Sequence, residues 1–467
     1  MRLGAKKSWM ARAGLALILA AAALTAKAQD KVGIPLEIGR AQELAAKGSD
    51  EVRARDAAAE AALRAIDAAR ANFFPKLSAS VSGMYLVHPP AGVTVAKGSL
   101  NAVPALPSTD LAIVPDAKNS YFKGALTFTQ PLVTWGKIRA AVDLASLEAK
   151  VAAIGSRGAA LDAQRSVDRA YFSAILSRDG AGILEELRTM AASILADRTS
   201  AMDEGFATKE DLLSSTADLA ALDTKLVQAR EGEASAMEAL GLLTGLDSAA
   251  MVLVSPFRTG LPTLSEPGLR DQALASSTDI DVSRARLSQA HRKLDLERGS
   301  SLFLPDVALF ASLDVAGQDI PYANTTWTDT WNWDISIGIN VKADFFDGGA
   351  SLARKREASS SLEAARIAAG ATEKAAKLQL RRAVDAARGA EASLREKEAR
   401  AAWAAEALRN VRAKAADQAA SRPELNASAI GEATARLDLL YARYTLEQSV
   451  ADLERIVGRR IGPGESQ

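Results

Sequence analysis

The chain has 467 residues, with 57 basic and 57 acidic side chains that leave it formally neutral, no cysteine and two histidines. That composition excludes disulfide frameworks and thiol nucleophiles, nearly excludes Cys/His zinc sites, and leaves no basic footprint for nucleic acid. His88 sits beside Pro89 and Pro90, His291 lies in a charged stretch, and neither has a partner at metal-ligand spacing. No nucleophile or paired-carboxylate constellation stands out, so neither an enzyme nor a bound cofactor is expected.

Arg2, Lys6, Lys7 and Arg12 precede an apolar run from Ala13 to Leu24, followed by Ala26-Lys27-Ala28. This order predicts a signal peptide over residues 1–28, with an apolar run too short to span a membrane. The mature chain has no other long apolar run. It is therefore either soluble outside the cytoplasm or a β-type membrane protein.

A helix is expected first, then strict alternation. In "LSASVSGMY" (77–85), Leu77, Ala79, Val81 and Tyr85 oppose Ser78, Ser80, Ser82 and Met84; "YFKGALTFTQ" (121–130) sets Phe122, Leu126 and Phe128 against Lys123, Ala125, Thr127 and Thr129. The connection at about 87–120 is long for a hairpin. From Gly136 to Phe257 there is one proline, Pro256, and apolar residues fall at helical spacing. A helix from Gly136 to Glu204 would be on the order of 100 Å long. Gly180 and Gly182 are its weak points, at about 1 kcal/mol each. After a connecting segment at 256–300, "DVALFASLDV" (306–315) alternates except at Phe310, and "WNWDISIGINVK" (331–342) alternates without exception. There Trp331, Trp333, Ile335, Ile337, Ile339 and Val341 oppose Asn332, Asp334, Ser336, Gly338, Asn340 and Lys342. A second helical tract follows. Ile430, Leu437, Leu440, Tyr444, Val450, Leu453 and Val457 give it a coiled-coil-like seam.

The chain repeats itself. "ANFFPKLSASVSG" (71–83) answers to "SSLFLPDVALFAS" (300–312), "TQPLVTWGKIRAAVDLA" (129–145) to "KADFFDGGASLARKREA" (342–358), and "GFATKEDLLSS" (205–215) to "QAASRPELNAS" (418–428), the last two pairs at an offset of about 213 residues. The expected organisation is a first repeat over 29–255, with a hairpin at about 76–130 and long helices at about 136–245. The second covers 256–467, with a hairpin at about 305–342 and long helices at about 348–458.

A strand of about 11 residues rises roughly 36 Å and, tilted by about 45°, covers roughly the 25 Å of an outer-membrane apolar band. Four strands cannot close a barrel, and an open edge in lipid strands backbone groups at several kcal/mol each, so several copies must pool their strands. The helices, charged with both signs, belong in water. An exported soluble coiled-coil protein with a small packed sheet is the alternative.

On these residues, above all "FTQPLVTWGKIRAA", "KADFFDGGASLARKREA" and "GFATKEDLL", the chain resembles the TolC family of outer-membrane channel and efflux proteins over essentially its mature length. The resemblance implies a homotrimer in the outer membrane, with a 12-stranded β-barrel continued by a periplasmic α-helical barrel. It also implies a periplasmic adaptor (membrane fusion) protein and an inner-membrane transporter as partners, in an efflux or type I secretion system. Trp331, Trp333, Ile335, Ile337 and Ile339 then face outer-membrane lipid, and the loops at 87–120 and 316–329 the cell surface. Gly205, Thr208, Asp211, Ser421, Glu424 and Ala427 lie at the periplasmic tips. Thr208 with Asp211, and Ser421 with Glu424, have capping-box spacing. Of the acidic ring that the family carries at its entrance, Glu424 matches the first position and Ala427 replaces the second. Gln418 stands where the second repeat usually has glycine.

Overall fold

The computed structural model describes residues 34–89, 91–99, 107–114, 119–261, 266–299, 304–318, 331–343 and 346–458. The expected signal peptide, and residues 319–329 of the second expected surface loop, lie outside them. The first part of the chain runs β1 (Ile34–Leu36), α1 (Ile38–Gly48), α2 (Asp50–Arg70), β2 (Lys76–Tyr85), β3 (Val93–Val95), β4 (Leu111–Val114), β5 (Ser120–Val133), α3 (Lys137–Asp203) and α4 (Lys209–Thr244). The second part runs β6 (Met251–Leu253), α5 (Glu266–Ser276), α6 (Thr278–Gly299), β7 (Asp306–Gln318), β8 (Trp331–Lys342), α7 (Ala350–Ala416) and α8 (Arg422–Val457). Helices α3 and α7 are both 67 residues long, α4 and α8 both 36. The step from Lys137 to Ala350, where α3 and α7 begin, equals the step from Lys209 to Arg422, where α4 and α8 begin. The repeat seen in the motifs is thus kept in both long helices.

The chain forms two compact units, each drawing on both halves. The first, residues 60–150 and 284–368, holds an antiparallel sheet in the order β2-β5-β7-β8. Register places Leu77 opposite Phe128, Leu126 opposite Leu313, and Ala311 opposite Ile337, so apolar residues of all four strands share one face. Ser78, Thr127, Ser312 and Ser336 share the other. Phe310, which breaks the alternation, lies on this polar face with its ring against Gly338: a Cβ there would sit 2.9 Å from Phe310 Cε1. The aromatic residue and the missing side chain compensate each other.

Both return strands pass into long helices through left-handed backbone, at Trp135 and Gly136 (φ 51° and 81°) and at Gly348 and Gly349 (φ 67° and 88°). A side chain in this conformation costs about 1–2 kcal/mol. At Trp135 the indole Nε1–H donates to the Pro305 carbonyl at 2.9 Å, and Lys137 pairs with Asp306 at 2.8 Å. In the second joint Asp347 accepts from the backbone N–H of Gly349 and of Ser351, capping α7. "DGG" is thus a strand-to-helix joint.

The described residues of the other unit, within 34–59, 151–283 and 369–458, are mainly helical, with the short pair β1–β6 among them. Its long helices lie in the row α4, α3, α8, α7: Arg188–Asp223 and Arg230–Glu185 tie α4 to α3, Arg436–Glu186 and Arg455–Asp162 tie α8 to α3, and Lys397–Asp438 ties α7 to α8. Leu394 packs with Ala442, Leu446 and Val450. Helix α3 runs unbroken through both weak points. Gly180 lies against Leu437 and Leu440, whereas nothing would come within 4 Å of a Cβ at Gly182. Gly182→Ala is therefore expected to stabilise the protein by roughly 0.5–1 kcal/mol, read as a raised thermal midpoint in detergent.

Two polar clusters pin the non-helical segments of this unit onto its long helices. The Tyr171 hydroxyl donates to the Leu36 carbonyl at 2.7 Å and accepts from Val254 and Ser255 N–H at 2.9 and 2.8 Å, clamping the parallel pair β1–β6 onto α3. Next to it, Arg258 pairs with Glu447 at 3.1 Å and Glu454 at 2.8 Å on α8, both carboxylates being buried.

Candidate functional site

Two regions carry the residues singled out from sequence. On the sheet, β8 exposes the ring of Trp333 (71%) and the side chain of Ile337 (74%), with Ile335 and Ile339 between and beyond them. Trp331 opens β8 opposite Gly317, and its side chain lies outside the described residues. Leu77, Val81 and Leu126 extend the exposed apolar face across the sheet. The reverse face is polar and internally bonded: Ser312 Oγ meets Ser336 Oγ at 2.8 Å and donates to Asp314 at 2.7 Å, while Lys123 lies 3.5 Å from Asp314. A sheet in water hides its apolar face against another layer. Here that face is bare, and both edge strands, β2 and β8, have an open side among the described residues.

The second region is the pair of turns joining α3 to α4 and α7 to α8. Gly205 takes φ 80°, and its counterpart in the second repeat, Gln418, takes φ 59°, so both turns need left-handed backbone although only one has the residue suited to it. Thr208 and Asp211 form the complete reciprocal cap: Thr208 Oγ1 accepts from Asp211 N–H at 3.2 Å, and Asp211 Oδ2 accepts from Thr208 N–H at 3.1 Å. The Thr208 hydroxyl and N–H, with Arg198 at 2.7 Å, hold the Asp211 carboxyl below its ordinary pKa.

The second turn departs from the expected box. Ser421 Oγ accepts from Glu424 N–H at 3.3 Å, but the return bond is missing, Pro423 stands in the first turn, and the Glu424 carboxylate is exposed. Pro423 removes one of the amides that a helix start leaves without an intrahelical partner. Ala427 is exposed one turn further along α8. Sequence reading passed over Arg422, which pairs with Asp197 of α3 at 3.0 Å and so ties the two turns together. Nothing local marks such a pair, because its partners are 225 residues apart.

No helix among the described residues is long and apolar enough to cross a membrane, and no group of His, Cys, Asp and Glu there could hold a metal ion. Residues 42–246 match the family model described as outer membrane efflux protein. The alkaline protease secretion protein AprF of Pseudomonas aeruginosa is 25% identical over 198 residues, 42% of this chain and 40% of that protein, so the match spans about two fifths of the relative's length. Among solved structures, the Campylobacter jejuni CmeC outer membrane channel aligns with a TM-score of 0.69 at 18% identity, covering 90% of this chain and 85% of that one. The Vibrio cholerae outer membrane protein VceC aligns with a TM-score of 0.68 at 18% identity, over 91% and 96%. At such identities the structures establish the fold: long helices with a four-stranded antiparallel sheet.

Proposed function

We propose that this chain, a member of the outer membrane efflux protein family, is the outer-membrane exit duct of a multi-component efflux or type I secretion system. Three copies pool four strands each into a 12-stranded barrel, and their helices form the water-filled passage in the periplasm. The observation that carries this reading is the sheet itself, bare and apolar on one face, polar on the other and open at both edges. In lipid, the apolar face needs no cover and the edges must pair with other copies. In water, the same sheet would be an aggregation site.

The duct acts without a chemical step. Trp333, Ile335, Ile337 and Ile339, with Trp331 at the interface level, face lipid, while Asp334, Ser336 and Asn340 face the lumen. A periplasmic adaptor and an inner-membrane transporter supply cargo and energy. Membrane fractionation tests this: the protein should sediment with outer membranes and run as a heat-modifiable trimer, whereas a monomer soluble without detergent would support the coiled-coil alternative.

Gly205, Thr208, Asp211, Ser421, Glu424 and Ala427 are assigned to the periplasmic entrance. Because the Glu424 carboxylate takes no part in its cap, Glu424→Ala should leave stability within about 0.5 kcal/mol while lowering cation selectivity in a bilayer. Unchanged selectivity with a lowered unfolding midpoint would return Glu424 to a structural role.

A further inference from the structure

The two repeats differ at one matched stripe. Along α7, Lys377, Arg381, Val384 and Arg388 share a face, and the offset between the helix starts maps them onto Gln164, Asp168, Tyr171 and Ile175 of α3. On α3 that stripe is roofed: Tyr171 and Ile175 are buried, Asp168 accepts from Gln42 of α1, and β1–β6 closes over the Tyr171 hydroxyl. On α7 it opens into a cleft of about 510 Å³ beside α5. The cations there are Lys377, Arg381 and Arg388 of α7 and Arg270 of α5, against one carboxylate, Asp385, among the described residues. Leu380 and Val384, 7% and 6% exposed and packed with Ala273, Leu453 and Val457, make a fixed floor. The charges are poorly neutralised. Asp385 stands 4.0 Å from Arg381 and both are largely exposed, so that pair contributes little. Arg270 is exposed and makes no ion pair among the described residues.

We propose that this cleft binds an extended, carboxylate-rich peptide, and that its occupant is the peptide part of the cell wall. Lys377 to Arg388 spans about 16 Å at 1.5 Å per residue, the length of about five residues of extended chain. Cations strung over that distance suit several carboxylates on one chain, each held by a guanidinium in bidentate fashion, better than a single phosphate. A floor of Leu380 and Val384 alone is too small an apolar surface for an acyl chain, which argues against a lipid. The stripe is centred on the middle of the 67-residue α7, away from the turns assigned to the entrance. In the duct reading, on which this inference rests, that stretch stands in the periplasm, where the wall is a fixed polymer whose peptides carry free carboxylates. Arg270 and Arg381 hold the ligand, with Lys377 shared between it and Glu373.

Full-length trimer in detergent, mixed with purified wall sacculi free of membrane and centrifuged, should pellet with them at low salt and be released as salt rises. Arg270→Glu/Arg381→Glu should cut the bound fraction about tenfold. Arg409→Glu/Arg412→Glu, the same charge change near the far end of α7, should leave it unchanged, and sacculi with amidated carboxylates should bind no trimer. Trimers that conduct yet never pellet, or that pellet as well in the Arg270/Arg381 variant or on amidated sacculi, would overturn the site and leave the duct standing. Undiminished pelleting of that variant with lost capture of the adaptor would overturn it too, giving the cleft to an acidic segment of that partner. Monomers alone, in wild type as well, would overturn both readings.

Discussion

Ile337→Asp should abolish the heat-modifiable trimer and deplete the protein from outer membranes. Ile337 lies opposite Ala311 in the middle of β8, on the apolar face, and is largely exposed within one chain. A basic residue at the midplane of a lipid-facing barrel surface costs about 2–4 kcal/mol and an acid somewhat less. In the proposed trimer that cost is met three times in one assembly. Trp333→Asp should act in the same direction but less strongly, because charge near the headgroups is tolerated better. Ser80→Asp, on the polar face of β2, should assemble normally. Normal trimer yield from both Ile337→Asp and Trp333→Asp would reverse the assigned orientation.

Arg258→Met should lower stability by about 3–5 kcal/mol, because it leaves two buried carboxylates without their counter-ion. Burial pushes the Glu447 carboxyl above its ordinary pKa, opposed by the Arg258 N–H and guanidinium and reinforced by Glu454. A carboxyl whose pKa is raised by folding contributes stability below its unfolded pKa, about 4.5, and loses it as pH rises through the folded value. Glu447→Gln, which keeps an acceptor for the Arg258 N–H, should therefore match wild type in acid and gain on it toward neutral pH. Thermal midpoints of the detergent-solubilised protein at several pH values would show this, and a midpoint for Glu447→Gln that falls behind wild type as pH rises would contradict it.

Strand β8 was legible to the residue because Trp331 to Lys342 alternate without interruption, as the proposed lipid-facing surface requires. Strand β5 runs past its expected end, through Pro131 to Val133, where the register shifts and an alternation rule loses its signal. The ribbon β3–β4 and the pair β1–β6 went unseen, since strands of three or four residues carry too little pattern. The repeat offset was visible in short motifs and recurs to the residue in helix starts, glycine caps and left-handed turns. Pairings over long separations, such as Arg258 with Glu447 and Arg422 with Asp197, have no local signature. The Ser421 cap was half right because spacing gives a capping box its reach, while Pro423 alters the turn that would use it.

Conductance tests the central claim most directly. The purified full-length trimer in a planar bilayer should open discrete, reproducible channels, with Ile337→Asp preparations giving none for lack of insertion. A trimer that inserts yet never conducts, or a preparation stable as a monomer without detergent, would contradict the account.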